Sequence, residues 1–269
     1  MSEAFVSDRG AKRWTTGHPW IYRSDVREHP DAPGIVAVRD GRGRFLGRAL
    51  CSPRSEIRLR LLERRDVPID AAWWRERLTS CRVRRDGIDA TAWRAVHAEG
   101  DGLPALVVDR YDRWLVVQLL SAGLETQRGL IVDALRDVFE PEGILFRHDV
   151  PTRRLEGLDD GVELAYGSVP EQVEVREGAI RWYAAPWTGQ KTGAFLDQRE
   201  NRLAAGALVP SGGTALDCFS YHGSFALHLA QRASQVTALD VSGEALARGA
   251  EHAALNGFSQ IDFVTGDAF

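Results

Sequence analysis

The carboxyl-terminal third of the chain constrains the fold most, because its hydrophobic pattern switches repeatedly between strand and helix. Three strands are predicted, each preceded by a helix: "TALDCFS" (214–220) after 195–207, "QVTALDV" (235–241) after 223–233, and "IDFVTGD" (261–267) after 243–256. This alternation predicts parallel β-α-β units in a doubly wound sheet. Because the third strand ends just before Phe269, three strands would leave one apolar sheet face open, so we expect either a domain truncated after that strand or another cover for that face.

The preceding residues predict two other architectures. Short strands between turns come first: "GIVAVRD" (34–40), "FLGRALC" (45–51) and "SEIRLRLL" (55–62). A mixed region follows, with helices at 68–86 and 125–139, a strand at 143–149 and hairpins at 105–120 and 173–185, the first turning at Tyr111-Asp112-Arg113. The fold class is therefore α/β overall. We predict a β-rich domain at 1–70, a small central α+β domain at 71–185 and a Rossmann-like domain at 186–269.

Charge is distributed unevenly along the chain. Residues 1–85 hold 19 Lys and Arg against 11 Asp and Glu, an excess of +8, whereas the whole chain carries −4. A basic amino-terminal region indicates contact with a polyanion such as RNA, although a preference for arginine throughout the chain could also produce it. The strand at 55–62 alternates so that Arg58 and Arg60 share a predicted exposed face. That face is either a solvated surface or a ridge that contacts phosphates.

Composition narrows the class of protein further. With 44% hydrophobic residues and no apolar run of membrane-spanning length, the sequence predicts no membrane contact, and its amino terminus resembles no export signal. Cys51, Cys81 and Cys218 are odd in number and far apart. This spacing favours a reducing cytoplasm over disulfides, provides no metal-binding pair, and suggests structural, core cysteines.

Acidic residues end the three predicted strands of the last domain. Asp217 ends the first, Asp240 the second and Asp267 the third, and Gly223 opens the helix after the first strand. Ligands bind beyond the carboxyl ends of parallel strands, where Asp240 could accept hydrogen bonds from both ribose hydroxyls of an adenosine. Each acid alone could simply cap a helix, but three together suit the cationic S-adenosylmethionine. The absence of G-x-G-x-x-G disfavours NAD.

The segment "WTGQKTGAFLDQRENR" (187–202) resembles a phosphate-binding loop only superficially. Such a loop needs glycine directly before the lysine, and here Gln190 precedes Lys191. The segment lies just before the first strand of the Rossmann-like sheet. It is therefore predicted to be a lid on the cofactor pocket, with its charged and amide residues at the entrance or capping the following helix: Asp197, Gln198, Arg199 and Asn201.

Several of these segments together resemble one known family. "KTGAFLDQREN" (191–201), "LDCFSYHGSFALHLA" (216–230) and "VTALDVSGEALARGAEHAALNG" (236–257) are similar to segments of the bacterial 23S rRNA large-subunit methyltransferases of the 5-methylcytosine type. In the first half of the chain, "GHPWIYRSDV" (17–26) and "HDVPTRRLEGL" (148–158) also resemble segments of that family. The resemblance covers nearly the whole chain. It implies an amino-terminal PUA-like barrel and a class I S-adenosylmethionine (SAM) domain.

The resemblance also implies residue roles. The implied cofactor-binding residues are Thr192, Gly193, Phe195, Asp217, Phe219, Ser220, Tyr221, Gly223, Asp240, Val241, Asp267 and Ala268. The implied RNA-binding residues of the PUA-like domain are His18, Trp20, Arg23, Arg48, Arg58 and Arg60. Trp20 either stacks on a base or packs in the core. The implied partner is 23S-type ribosomal RNA, and a homodimer is left open.

Two departures from the family bear on the chemistry. His222 stands where the family commonly has threonine, which is either a loop variant or a change at the methionine end of the pocket. The family's cysteine nucleophile lies further along than Phe269, so none of the three cysteines is predicted to be catalytic and these residues alone are expected to be inactive. A guanine-N7 rRNA methyltransferase and a non-catalytic RNA-binding module remain the alternatives to a cytosine-C5 enzyme.

Overall fold

A computed structural model describes residues 2–269, which divide into two compact units. The first unit contains the residues through Ile88 together with Arg94–Pro170, and the second contains Asp89–Trp93 and Glu171–Phe269. The hairpin predicted at 173–185 therefore belongs to the second unit, not with the central α+β elements. The division into three domains stays a prediction. None of the described helices is long and apolar enough to span a bilayer.

A six-stranded sheet forms the first half of the first unit. Its elements are β1 (Glu3–Val6), α1 (Asp8–Thr15), β2 (Trp20–Ile21), β3 (Val26–Glu28), β4 (Gly34–Arg39), β5 (Phe45–Cys51) and β6 (Leu59–Glu63), and the strand order is β2-β6-β5-β4-β1-β3. The Ser7 hydroxyl caps α1 by accepting a hydrogen bond from the Gly10 amide at 3.1 Å. Trp14 of α1 is buried against Val36, Val38 and Cys51. This helix and sheet enclose one apolar core, as the alternating sequence pattern predicts.

A five-stranded sheet completes the first unit. Its elements are α2 (Ala71–Val83), β7 (Ala92–His97), β8 (Leu106–Tyr111), β9 (Trp114–Leu119), α3 (Ala122–Glu125), α4 (Arg128–Phe139), β10 (Gly143–Arg147), α5 (Pro151–Leu155) and β11 (Val162–Gly167), in the order β11-β10-β9-β8-β7. The predicted hairpin at 105–120 is confirmed, and Asp112 takes a left-handed conformation (φ 52°) in its turn. The predicted helix at 125–139 is confirmed as α4. The sequence analysis missed β7, α3, α5 and β11.

The predicted exposed face of Arg58 and Arg60 is wrong. The two residues are only 5% and 6% exposed. Arg60 donates to the buried Glu156 carboxylate at 2.7 Å, and Arg58 donates to the Ser52 carbonyl at 3.3 Å. Arg48, also buried, pairs with Asp66. An alternating strand predicts one solvated face only when nothing covers it, and here both faces are covered within the first unit.

The second unit contains a hairpin and a parallel sheet. Its elements are β12 (Val173–Glu177), β13 (Ile180–Ala184), α6 (Arg199–Leu208), β14 (Thr214–Cys218), α7 (Ser224–Ala230), β15 (Gln235–Asp240), α8 (Gly243–Leu255) and β16 (Ile261–Thr265). The strands β14-β15-β16 are parallel and in chain order, which confirms the β-α-β prediction. Helix α6 packs on α7 at Gly206, where an added Cβ would lie 2.8 Å from the His228 carbonyl oxygen. Glycine therefore sets the close approach of the two helices.

One face of this parallel sheet is exposed in the described residues. The register places Cys218, Leu239 and Val264 side by side, and Leu216 lies two residues before Cys218 on the same face. Leu216 is 61% exposed and Val264 43%. The predicted open apolar face is therefore observed. The prediction of a core position for Cys218 is wrong, because the residue is exposed on this face, whereas Cys51 and Cys81 are buried.

Candidate cofactor site

A cavity of about 480 Å³ opens at the carboxyl ends of β14 and β15. It is the position at which an open parallel sheet binds its ligands. Aromatic rings provide most of its apolar wall, with an acid, a guanidinium, hydroxyls and amides among them. Its lining residues are Gln190, Phe195, Gln198, Arg202, Phe219, Ser220, Tyr221, Ser224, Phe225, Asp240, Val241 and Ser242.

The loop after β14 is held in a strained conformation beside the cavity. Phe219 (φ 60°) and Tyr221 (φ 51°) are left-handed, as is Gly223 (φ 71°). A left-handed residue other than glycine costs about 1–3 kcal/mol, and such residues cluster at ligand sites. The Ser220 amide between them donates to the Leu239 carbonyl oxygen at 3.0 Å, which fixes the loop to β15.

Asp240 joins the loops that follow the first two strands. Its Oδ2 accepts a hydrogen bond from the Tyr221 amide at 2.8 Å, and its Oδ1 accepts one from the Ser242 amide at 2.9 Å. Each carboxylate oxygen keeps a further lone pair, so two ribose hydroxyls can still be bound. The predicted position of Asp240, at a strand end and in the cavity wall, is confirmed. Its contact with a ribose stays a prediction.

Asp217 has a different role in the structure. Its Oδ2 accepts a hydrogen bond from the Ala226 amide at 2.9 Å, and the residue does not line the cavity. Burial raises the pKa of this carboxyl to about 6, although the hydrogen bond from the Ala226 amide lowers it in part, and the nearby charge of Asp240 adds a smaller increase. These contacts fit the alternative in which an acid at a strand end stabilises the start of a helix.

The segment 187–202 folds into a compact loop and the start of α6. The Lys191 ammonium pairs with Asp197 at 2.8 Å and lies 4.5 Å from the centre of the Phe195 ring, which itself meets Tyr221 edge-on at 5.7 Å. A Cβ on Gly189 would lie 2.7 Å from the carbonyl oxygen of Gly193, so the loop closes on itself too tightly for a larger residue. Lys191 is thus held within its own loop.

Arg202 holds the loop 187–198 in place by a hydrogen bond to its backbone. Its guanidinium donates to the Phe195 carbonyl oxygen at 2.9 Å and to Glu177 at 2.8 Å, and both charged side chains are buried. Burial opposes ionisation of Glu177, but the hydrogen bonds from Arg202 and His228 outweigh it and hold the pKa of this carboxyl at about 2. Twenty-five residues separate the two charges, so no local sequence signal could have revealed the pair.

Half of the predicted cofactor residues line the cavity: Phe195, Phe219, Ser220, Tyr221, Asp240 and Val241. The others lie outside its lining, and their roles stay predictions: Thr192, Gly193, Asp217, Gly223, Asp267 and Ala268. The predicted entrance residue Gln198 does line it. Residues missed by the sequence analysis include Ser224, Phe225 and Ser242, which directly extend the predicted loops and could have been found by continuing each of them.

His222 is buried behind the cavity and does not line it. Its ring stacks on Trp182 at 6.1 Å and meets His252 at 5.3 Å. Burial, with the neighbouring His252 as a second cause, lowers the pKa of His222 to about 3, so the ring is neutral at pH 7. This packing fits a loop variant rather than a change at the methionine end of the pocket.

The predicted RNA-binding residues lie in the first unit and differ in accessibility. Arg23 is exposed, with its guanidinium 3.6 Å from Glu56. Trp20 is half-buried, and its indole Nε1 donates to the Glu99 carboxylate at 2.8 Å. His18 accepts a hydrogen bond from the Trp20 amide at 3.1 Å. RNA contact by these three residues stays a prediction.

The chain is similar in sequence and in fold to known proteins. The family model described as a PUA-like domain matches residues 5–64. Ribosomal RNA large subunit methyltransferase I of Alteromonas mediterranea is 38% identical over 263 residues, which cover 94% of this chain and 66% of that protein. The protein of the same name from Enterobacter sp. (strain 638) is 34% identical over 288 residues, with 100% of this chain and 71% of that protein covered.

The chain belongs to the ribosomal RNA large subunit methyltransferase I family. It spans about two thirds of the length of these relatives, and just under that share for the Alteromonas protein (66%). Among solved structures, a candidate SAM-dependent methyltransferase from Streptococcus mutans superposes with a TM-score of 0.82, and SMU.776, a candidate methyltransferase complexed with SAH, with 0.85. Both are 23% identical and cover all of this chain and 72% and 71% of their own. They support the fold.

Proposed function

We propose that this chain binds SAM in the cavity of its second unit and takes part in the methylation of large-subunit ribosomal RNA, with C5 of a cytosine as the acceptor. The single observation that carries the proposal is the agreement of family membership with a cavity at the strand ends that Asp240 and the loop 219–223 form. We place the reaction in the cytoplasm, where ribosomal RNA is modified.

The residues around the cavity fit this cofactor. A volume of about 480 Å³ lies within the range of small-molecule sites, and the aromatic rings of Phe195, Phe219 and Tyr221 suit an adenine and a thioether chain. Asp240 offers the acceptors for a ribose. The buried Ser220 hydroxyl, 5% exposed, has no hydrogen-bond partner in residues 2–269. A buried polar group without a partner is costly, and a polar atom of the cofactor would satisfy it.

The chain's own residues then position the cofactor. SAM, when bound, supplies a methyl group on a positively charged sulfur. Asp240 holds the ribose end, and its negative charge favours a cationic ligand over a triphosphate. Arg202, locked on Glu177, keeps the Phe195 carbonyl and therefore the loop 187–198 in place against the pocket.

The acceptor assignment is the finer part of the proposal. C5 of cytosine is a weak nucleophile until a thiolate adds at C6. Burial raises the pKa of Cys51 to about 11 and also raises that of Cys81, so neither is a ready thiolate, and Cys218 lies outside the cavity lining. We therefore place the nucleophile outside these 269 residues, as the family resemblance implies.

Binding of SAM can be tested by titration calorimetry on the chain as it stands. We expect Asp240→Asn to weaken SAM binding at least tenfold, since it removes the negative charge that holds the ribose. Asp262→Asn is the matched control, because Asp262 is an exposed strand carboxylate that pairs with Gln235 and does not line the cavity. Equal affinities of wild type and Asp240→Asn, with unchanged melting temperatures, would refute the proposed site.

The acceptor can be tested by methyl transfer from labelled SAM. We expect the 269-residue chain to transfer no methyl group to 23S rRNA, and a chain extended to the full length of its relatives to yield 5-methylcytosine on nucleoside analysis. Formation of 7-methylguanosine would favour the guanine-N7 alternative. RNA binding without any transfer by the extended chain would favour a non-catalytic module.

A further inference from the structure

A second cavity, of about 380 Å³, lies wholly in the first unit. It is formed by residues of the six-stranded sheet together with loops and helix α5 that flank the five-stranded sheet, and it shares no residue with the cofactor cavity. Most of its wall is apolar, and its polar groups converge from separate segments. It is lined by Trp20, Arg54, Ser55, Glu56, Ile57, Arg60, Ala98, Glu99, Ala105, Leu120, Thr152, Leu155 and Glu156.

The wall of this cavity offers a preformed stacking surface. The indole of Trp20 is fixed by its hydrogen bond to Glu99 at 2.8 Å, so its ring needs no reordering when a flat ligand arrives. Leu155, at the end of α5, lines the same space although it is 75% exposed. An exposed leucine and a fixed half-buried indole are the two surfaces that a planar group could contact on both sides.

Two alanines on the wall are held in a conformation that alanine disfavours. Ala98 has φ 42° and Ala105 has φ 65°, both left-handed, and both line the cavity. Each such residue costs about 1–3 kcal/mol and persists where the surrounding structure forces it, often at ligand sites. Their methyl side chains end at the wall and leave the space beyond them free.

Charge separates the inside of the cavity from its mouth. The Glu99 carboxylate faces the cavity and donates nothing, so it suits a ligand edge that carries N–H groups. Arg54 is exposed, lies against Gly157, and has no acidic partner among residues 2–269. The first 85 residues carry the formal excess of +8. Two further carboxylates line the cavity: the buried Glu156 pairs with Arg60, and the exposed Glu56 lies 3.6 Å from the Arg23 guanidinium. With these two acids paired, an uncharged planar group fits beside Glu99, and Arg54 is the cation that an adjoining phosphate can contact.

We propose that this cavity binds one unpaired nucleobase of single-stranded RNA. The base stacks on Trp20, its exocyclic amino group donates to Glu99, and the adjoining phosphate contacts Arg54. Recognition of single-stranded RNA commonly combines an aromatic stack with hydrogen bonds to a base edge. That the RNA is ribosomal rests on the proposed function. The cavity itself requires only a base that carries an amino group. It disfavours uracil, because the one free N–H of uracil lies between two carbonyl oxygens that the Glu99 carboxylate would repel.

The test uses the 269-residue chain and short fluorescent single strands, with binding followed by anisotropy. The strands are oligocytidine, oligouridine and an abasic ribose-phosphate of the same length. We expect wild type to bind oligocytidine several-fold more tightly than oligouridine, and the abasic strand most weakly. Trp20→Ala should lose about tenfold for oligocytidine and almost nothing for the abasic strand, because stacking requires a base. Glu99→Gln should abolish the preference for cytidine over uridine.

Leu155→Asp is the third test variant, and Val83→Asp is its matched control. It adds a negative charge at the rim and should weaken oligocytidine binding about tenfold. Val83→Asp adds the same charge on another exposed apolar helix position of the first unit, 56% exposed and outside the cavity lining, and should have little effect. Equal losses in the two variants, or equal affinity of wild type for the abasic and cytidine strands, would overturn the proposal. A further contrary outcome is that a hydrophobic peptide displaces oligocytidine from wild type and from Val83→Asp but not from Leu155→Asp. That result would favour a protein ligand and would also overturn the nucleobase proposal.

Calorimetry with SAM separates this proposal from the proposed function. All three cavity variants should bind SAM like wild type, because none of their residues lines the cofactor cavity. If wild type binds no SAM but shows the base preference, the cofactor proposal fails and the nucleobase site stands. If wild type binds SAM but shows no base preference, the nucleobase site fails and the cofactor proposal stands.

Discussion

The two cavities of this protein are built alike but were not equally visible in the sequence. Each is lined by at least one aromatic ring, at least one carboxylate, two non-glycine residues in left-handed conformation and the arginine of a buried Arg–Glu pair: Arg202–Glu177 in the second unit and Arg60–Glu156 in the first. The cofactor cavity comes mostly from short loops that follow predicted strands. The other cavity draws on residues separated by 136 positions, from Trp20 to Glu156. Two cavities with similar kinds of lining residue are therefore formed, one mainly by residues that are close in sequence and the other by residues that are far apart.

The largest expected effect concerns the buried pairs. Arg202→Met and Arg60→Met each leave a buried carboxylate without its guanidinium, so each should lower the free energy of unfolding by about 3–5 kcal/mol in urea titrations. The double variant Arg202→Met/Glu177→Leu should recover most of that loss, since two apolar residues can replace a buried pair. This double variant should bind SAM more weakly than wild type, because the Phe195 carbonyl oxygen has lost its hydrogen-bond donor, Arg202. Normal SAM affinity in the double variant would show that Arg202 is purely structural.

Lowering the pH should reduce the free energy of unfolding of both units, because each contains a buried histidine that is neutral in the folded state. Burial, as the largest cause, lowers the pKa of His222 in the second unit and of His148 in the first to about 3, against about 6.5 in an unfolded chain. A lowered histidine pKa gives stability that is present above pH 6.5 and lost as the pH falls toward 3. Between pH 7 and 5 each histidine should cost about 2 kcal/mol of unfolding free energy.

Phenylalanine variants isolate these contributions, because they keep a ring without a titratable group. The loss between pH 7 and 5 should be about 2 kcal/mol smaller in His222→Phe than in wild type, and likewise in His148→Phe. His148→Phe should also be less stable at pH 7, since His148 Nε2 accepts a hydrogen bond from the Leu119 amide at 3.3 Å. A pH dependence unchanged by either substitution would mean that the ring is not buried in its neutral form.

The smallest effect distinguishes two serines that are each 5% exposed in a cavity wall. Ser55 Oγ accepts a hydrogen bond from the Ile57 amide at 3.2 Å, so Ser55→Ala should cost about 1 kcal/mol in thermal unfolding. Ser220 Oγ has no partner, so Ser220→Ala should leave stability within about 0.5 kcal/mol or raise it. SAM affinity should show the opposite pattern, with a loss of a few-fold only in Ser220→Ala. Equal SAM affinity in the two would exclude Ser220 from cofactor binding.

The sequence predicted elements well where periodicity and turn chemistry agreed. The hairpin at Asp112, the end of β15 at Asp240 and the end of β14 one residue after Asp217 were found because each depends on a few neighbouring residues. It failed for Arg58 and Arg60, whose alternation with leucines is the same whether a face meets water or another sheet. It also failed for Cys218, because a strand pattern does not say which of its faces the helices cover.

What the sequence determined by itself is the order and type of the elements in the second unit, the position of the acids that end its strands, and the family to which the chain is similar. These follow from hydrophobic period and local backbone preference, which act over a few residues. Only the tertiary structure decided that Arg58 and Arg60 are buried, with Arg60 in an ion pair. It also decided that Arg202 holds the loop containing Lys191, and that Trp20, Glu99 and Leu155 enclose one space. Burial and electrostatic pairing depend on which distant surfaces meet, and that is a property of the folded chain.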